Sequence, residues 1–146
     1  MGFVSLACVH TSGGQLLFFP IEFVYDLTCF LACASLYYWS AGYRGGGILR
    51  AELQIPKRAG IMANISREMR VPGARFFDEP LDTIETKPAV SVAVDFNDLT
   101  GAEIRRTLPA IMHHVARGAG RVLSTTFEAD VEPLVEVVLK RVGLTQ

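Results

Sequence analysis

The chain has 146 residues, half of them apolar and a fifth charged, with a formal net charge of −1. That is the size and composition of one globular domain, able to bury a core without staples. Near-neutral charge supplies no electrostatic footprint for nucleic acid or anionic lipid in the totals, and three cysteines (Cys8, Cys29, Cys33) give no even disulfide framework. A reducing, intracellular compartment is the expectation.

Charge is unevenly placed. Before Gly45 the only ionisable side chains apart from His10, the cysteines and the tyrosines are Glu22, Asp26 and Arg44. Met1 to Gly14 lacks a basic n-region and a readable period, and is expected to be a loose lead-in to a single domain over residues 15–146. Leu16 to Trp39 is long enough for a bilayer, but Pro20, Glu22 and Asp26 interrupt it. Carboxylates within a span are expensive, so a buried strand followed by a buried helix is expected there instead.

Ile21 to Tyr25 is a short apolar, β-branched and aromatic run ending at Asp26, the pattern of a buried strand. Cys29 to Ser40 is apolar nearly all round, as a buried helix would be. Gly42 to Gly47 holds four glycines in six residues and breaks the chain. Ile48 to Leu53 reads as a second strand ending near Glu52. Pro56 suits a helix start, and Met62, Ile65 and Met69 give that helix one apolar face. Ala74 to Phe77 is a short strand candidate closed by Asp78-Glu79-Pro80. Ala89 to Phe96 is the clearest strand in the chain, closing on Asp95-Phe96-Asn97-Asp98.

The last third is the most legible. Thr100 and Glu103 have capping-box spacing, and Ile104, Leu108, Ile111, Met112 and Val115 follow as one apolar face with Pro109 inside it. Arg121 to Phe127 is rich in β-branched residues and reads as a strand. Val131, Leu134, Val135, Val138, Leu139 and Val142 mark a final one-sided helix stopped by Gly143. Alternating strands and helices predict right-handed crossovers and a Rossmann-like, doubly wound, mainly parallel α/β sheet of about five strands with helices on both faces. Ala89 to Phe96 and Arg121 to Phe127 should then be neighbouring parallel strands.

In such sheets ligands gather at the carboxyl ends of the strands. The residues there are Asp26, Glu52, Asp78 and the group Asp95 to Asp98. An acid ending the second strand is what a pair of ribose hydroxyls requires. On these residues the chain resembles the class I S-adenosylmethionine-dependent methyltransferases. Val24-Tyr25-Asp26-Leu27 resembles their first-strand motif. Ile48 to Leu53 resembles the second strand with its ribose-binding acid, and Lys57 to Asn64 the helix after it. Val92 to Asn97 sits where the fourth motif belongs. Leu108-Pro109-Ala110-Ile111 through Gly120-Arg121-Val122-Leu123-Ser124 resembles the fourth helix and fifth strand. The last passage and Glu52 are faintly similar to the Dot1-type histone-lysine methyltransferases.

The resemblance implies S-adenosylmethionine as cofactor, with Asp26, Glu52 and Asp78 on it and Asp95 and Asn97 at the reacting centre. A protein lysine is among the acceptors it allows. Two further readings stay open. The loop Asp26 to Ala32 has no glycine where the family needs one for backbone approach, and the family's closing hairpin is not seen. Both features suit a non-catalytic methyltransferase-like subunit whose apolar N-terminal third is covered by a partner subunit. The charge asymmetry suits a membrane-anchored protein with a soluble α/β tail. Cys8, His10, Cys29 and Cys33 match no standard zinc spacing and read as buried, inert groups, and His113-His114 as a surface pair.

Overall fold

The positions Ile21, Val24, Leu27, Thr28, Leu31, Ala32 and Ser35 recur every three or four residues, and all of them are buried. This stripe is one face of a single long helix, which Pro20 opens at the position where its missing N–H costs nothing. The computed structural model describes residues 9–12, 15–18, 20–53, 59–61, 83–84, 87–95, 97, 101–118 and 122–144. In chain order the elements are β1 (Val9–Ser12), β2 (Gln15–Phe18), α1 (Pro20–Ser40), β3 (Gly46–Leu53), β4 (Ala59–Ile61), β5 (Thr83–Ile84), β6 (Lys87–Asp95), α2 (Ala102–Gly118) and α3 (Phe127–Arg141).

The expected five-stranded parallel sheet is not what these residues form. One sheet has the order β1-β2-β4-β5, in which only β2 and β4 run parallel, and a separate two-stranded ladder pairs β3 with β6 antiparallel. Three elements account for the difference. Ile21 to Tyr25 is the first turn and a half of α1 and not a strand. Of the strand expected at Arg121 to Phe127, the described residues Val122 to Phe127 do not form one beside β6. Ser124 and the threonines make a turn there: the Phe127 N–H donates to the Ser124 carbonyl at 3.1 Å, and the Thr126 hydroxyl to Asp130 at 2.8 Å. Side chains that bond locally in this way override β-propensity. Finally, Ala59–Ile61 is a strand where a helix is expected from Pro56 onward. Met62, Ile65, Met69 and the strand expected at Ala74 to Phe77 lie outside the described residues.

The helices expected in the last third are present. α2 buries Ile104, Leu108, Ile111, Met112 and Val115, and α3 buries Phe127, Val131, Leu134, Val135, Val138 and Leu139. Glu128 and Asp130 in the first turn of α3, and Lys140 and Arg141 in its last, complement the helix dipole. The three helices pack on one another, and α2 lies on β6. Strand alternation turns Val90, Val92 and Val94 of β6, with Leu49 and Ala51 of β3, towards the core. Arg141 donates to the Tyr25 hydroxyl at 2.8 Å, tying the end of α3 to α1.

By length and composition α1 is the one described helix able to cross a membrane. Its inner face is buried against α2 and α3, so within this fold it serves as a core helix.

Candidate functional site

The site begins where the β3–β6 ladder ends. Gly46 pairs with Asp95 in register, and without side chains Gly46 and Gly47 leave an open cleft of about 530 Å³ beside them. Ile48, Ala93 and Val94 complete its apolar floor, and Asp95, Asn97, Glu103 and Arg106 form its rim.

The rim is wired internally. Asp95 Oδ1 accepts from the Asn97 backbone N–H at 2.9 Å and from Asn97 Nδ2 at 2.7 Å, closing an Asx-type turn. Glu103, in the first turn of α2, accepts from the Asp95 N–H at 2.8 Å. It also accepts from Arg106 Nε at 2.9 Å, and the same guanidinium donates to the Ala93 carbonyl. The bond to Glu103 raises the Arg106 pKa above its ordinary value. Residues two apart on a strand repeat the pleat, so the Ala93 carbonyl and Asp95 N–H share one edge of β6. Glu103 and Arg106 therefore occupy the acceptor and donor places that a third strand would take, closing that edge to further pairing.

Of the residues nominated from sequence, the structure brings Asp95 and Asn97 together on this rim. Glu52 is not with them. Gly46 faces Asp95 but Leu53 faces Lys87, so Glu52 lies at the far end of the ladder, about 20 Å from Asp95 at 3.4 Å per residue. A slip in register falls between Ala51 and Leu53, at Glu52 itself. Asp26 is half-buried in the middle of α1, and it lines no part of the cleft. Asp78 lies outside the described residues. Among the described residues no group of three His, Cys, Asp or Glu side chains is placed to hold a metal. Cys29 is half-buried, and burial pushes its thiol pKa up, away from the reactive thiolate; Cys33 is exposed. His113 is exposed and His114 partly so, both on α2.

Two features were not found from sequence. The first is the Glu103–Arg106 pair, whose signal is its i, i+3 spacing on a helix. The second is the corner where α1 turns into β3. Tyr37, Trp39, Tyr43 and Ile48 are 70%, 40%, 43% and 79% exposed there. Tyr38 stands 5.5 Å from Tyr37 and 5.7 Å from Tyr43, centroid to centroid. Gly42, at φ +79°, makes the reversal that ends α1. Arg44 then folds back, its guanidinium 3.4 Å from the Trp39 ring centre, and donates to the Trp39 and Tyr43 carbonyls at 2.9 and 2.8 Å. A cation is thus placed at the carboxyl end of a helix that has no basic residue in its last turn.

No family model, curated protein or solved structure matches the chain.

Proposed function

We propose that the chain is a non-catalytic docking module. The observation that supports this reading is the internal wiring of the cleft: Asp95, Asn97, Glu103 and Arg106 are engaged with one another and with the β6 backbone. Catalytic groups need reach to a reacting atom and a pKa matched to their task. Here the polar groups hold the end of β6 against the start of α2. The large apolar side chains at the α1–β3 corner, by contrast, face solvent, as binding surfaces do. Methyl transfer to a protein or other acceptor stays a separate proposal resting on the sequence resemblance alone. The sheet geometry that would gather its cofactor residues at one edge is not the geometry these strands adopt.

Isothermal titration of S-adenosylmethionine into the full chain separates the two. The docking reading expects no saturable heat up to millimolar cofactor. Saturable binding that is weakened by Asp95→Ala would restore the enzyme and overturn the docking reading.

A further inference from the structure

We propose that the α1–β3 corner docks on the surface of an anionic membrane, with its aromatic rim in the headgroup layer. This rests on the docking reading and names its partner. Three observations converge on it.

The rim residues have the right chemistry. Tyr and Trp carry an apolar body with a polar tip, which suits the boundary where one end is dry and the other wet. Tyr37, Trp39 and Tyr43 stand at the end of the most apolar helix, all substantially exposed. Ile48 extends the rim. The Tyr43 hydroxyl donates to the Gly46 carbonyl at 2.6 Å, tying the turn to the first residue of β3. Gly46, Ile48 and Arg50 then share the outer face of the strand, the face turned away from the core. Ile48, 79% exposed, stands on that outer face two residues beyond Gly46, the residue that the Tyr43 hydroxyl holds.

Charge follows the same boundary. From Leu27 to Ala51 the sequence holds Arg44 and Arg50 and no Asp or Glu. Arg44 lies in the turn and Arg50 on the outer face of β3; across the ladder Asp95 faces Gly46 while Glu103 is paired with Arg106, so this surface keeps a small net positive charge although the whole chain does not. Anionic headgroups complement it, and each basic residue near such a surface strengthens binding by a factor of about five.

The fold sets the depth. Val24, Thr28 and Ala32 are fully buried against the rest of the core, so α1 cannot enter the bilayer lengthwise without abandoning α2 and α3. Only its carboxyl end is offered. The contact is therefore interfacial, of the kind made by surface-lying segments, and not a span.

The chain has a single tryptophan, so Trp39 emission reports on this patch alone. The full chain would be mixed with vesicles of phosphatidylcholine alone and of phosphatidylcholine with phosphatidylserine at 7:3, and followed by co-sedimentation and fluorescence. The expected result is sedimentation with a blue shift of Trp39 on the anionic vesicles and little on the neutral ones. Arg50→Glu reverses one charge and should weaken binding by about thirty-fold. Ile48→Ser removes apolar contact and should weaken it by about tenfold or more. Both side chains are exposed, so unchanged circular dichroism should accompany both losses. Failure of the wild type to sediment with anionic vesicles, or variants that bind as well as it does, would overturn the proposal. So would a concentration-dependent blue shift without vesicles, matched by a dimer in sedimentation velocity, which would give the patch to a second copy of the chain. The cofactor titration reads the docking proposal separately, so a chain that binds neither vesicles nor cofactor defeats only the membrane inference.

Discussion

Gly101 immediately precedes α2, and its substitution by alanine tests the packing of α2 on α3 at one atom. The residue is buried at φ +86°, and its carbonyl accepts the first helical bond of α2 from the Arg105 N–H at 3.0 Å. A Cβ placed there would come within 2.5 Å of Leu139 Cδ1 and 3.2 Å of Cδ2. Leu139 is 1% exposed, so its methyls have little room to retreat. A left-handed conformation costs an L-residue about 1–2 kcal/mol. Overpacking a filled core costs about 1–3 kcal/mol more. The lower entropy of the unfolded alanine chain adds a further term, because it favours folding by about 0.4–1 kcal/mol and offsets part of the loss. Gly101→Ala should therefore destabilise by about 1–4.5 kcal/mol, read as a lower urea midpoint at unchanged slope. The two contributions can be separated. Leu139→Ala alone should cost about 2–5 kcal/mol, but in its background the cost of Gly101→Ala should fall by the overpacking share, about 1–3 kcal/mol. A Gly101→Ala protein within about 0.5 kcal/mol of wild type, or strictly additive costs in the double variant, would refute the contact.

Three further outcomes are expected. The Thr107 hydroxyl is fully buried with no hydrogen-bond partner among the described residues, so Thr107→Val should stabilise by about 1 kcal/mol in the same urea assay; an unchanged or lower midpoint would contradict this. Arg105 Nε and Nη2 grip the Glu132 carboxylate at 2.6–3.1 Å, and that bond lowers the Glu132 pKa. A depressed carboxylate stabilises fully above its unfolded pKa and loses that contribution as pH falls through the folded value. With both partners over a third exposed the effect is at most about 1 kcal/mol, and Glu132→Gln should flatten the acid side of the stability profile by that amount. Leu108, 1% exposed at the centre of α2, should cost about 2–5 kcal/mol on replacement by alanine, measured by the same unfolding; a smaller loss would place it outside the core.

What could be read from the sequence was local. In α2 and α3 the polar face is polar enough to outline the apolar one, so periodicity alone located both helices. In α1 the same periodicity is present in Ile21, Val24, Leu27, Thr28, Leu31 and Ala32, but Phe23, Tyr25, Cys29, Phe30 and Leu36 fill the outer face with apolar side chains and hide it. A short apolar run then looks alike as strand or helix. Val122 to Phe127 failed for a different reason. Its β-branched content is real, but Ser124, Thr126 and Asp130 spend their oxygens on the entry to α3. Propensity lost to side-chain hydrogen bonds that form only once Ser124, Thr126 and Asp130 meet at the start of α3.

The candidate site failed or survived on strand direction. In a parallel sheet every carboxyl end lies on one edge, so acids ending successive strands converge on one ligand however distant they are in sequence. In an antiparallel pair the carboxyl ends lie at opposite edges. β3 and β6 are such a pair, and Glu52 and Asp95, each at its own strand's end, are carried apart by the length of the ladder. Asp95 and Asn97 stay together because their relation is only two residues long and owes nothing to direction. The same antiparallel register brings the amino end of β3 beside the carboxyl end of β6, and with it the turn that follows α1. Gly46 thus belongs both to the floor of the cleft and, through Tyr43, to the aromatic corner. One pairing choice therefore dissolves the shared cofactor edge and sets an exposed aromatic and cationic surface next to the closed edge of β6. For that reason the tests of function belong at Ile48 and Arg50, on the outer face of β3, as much as at Asp95.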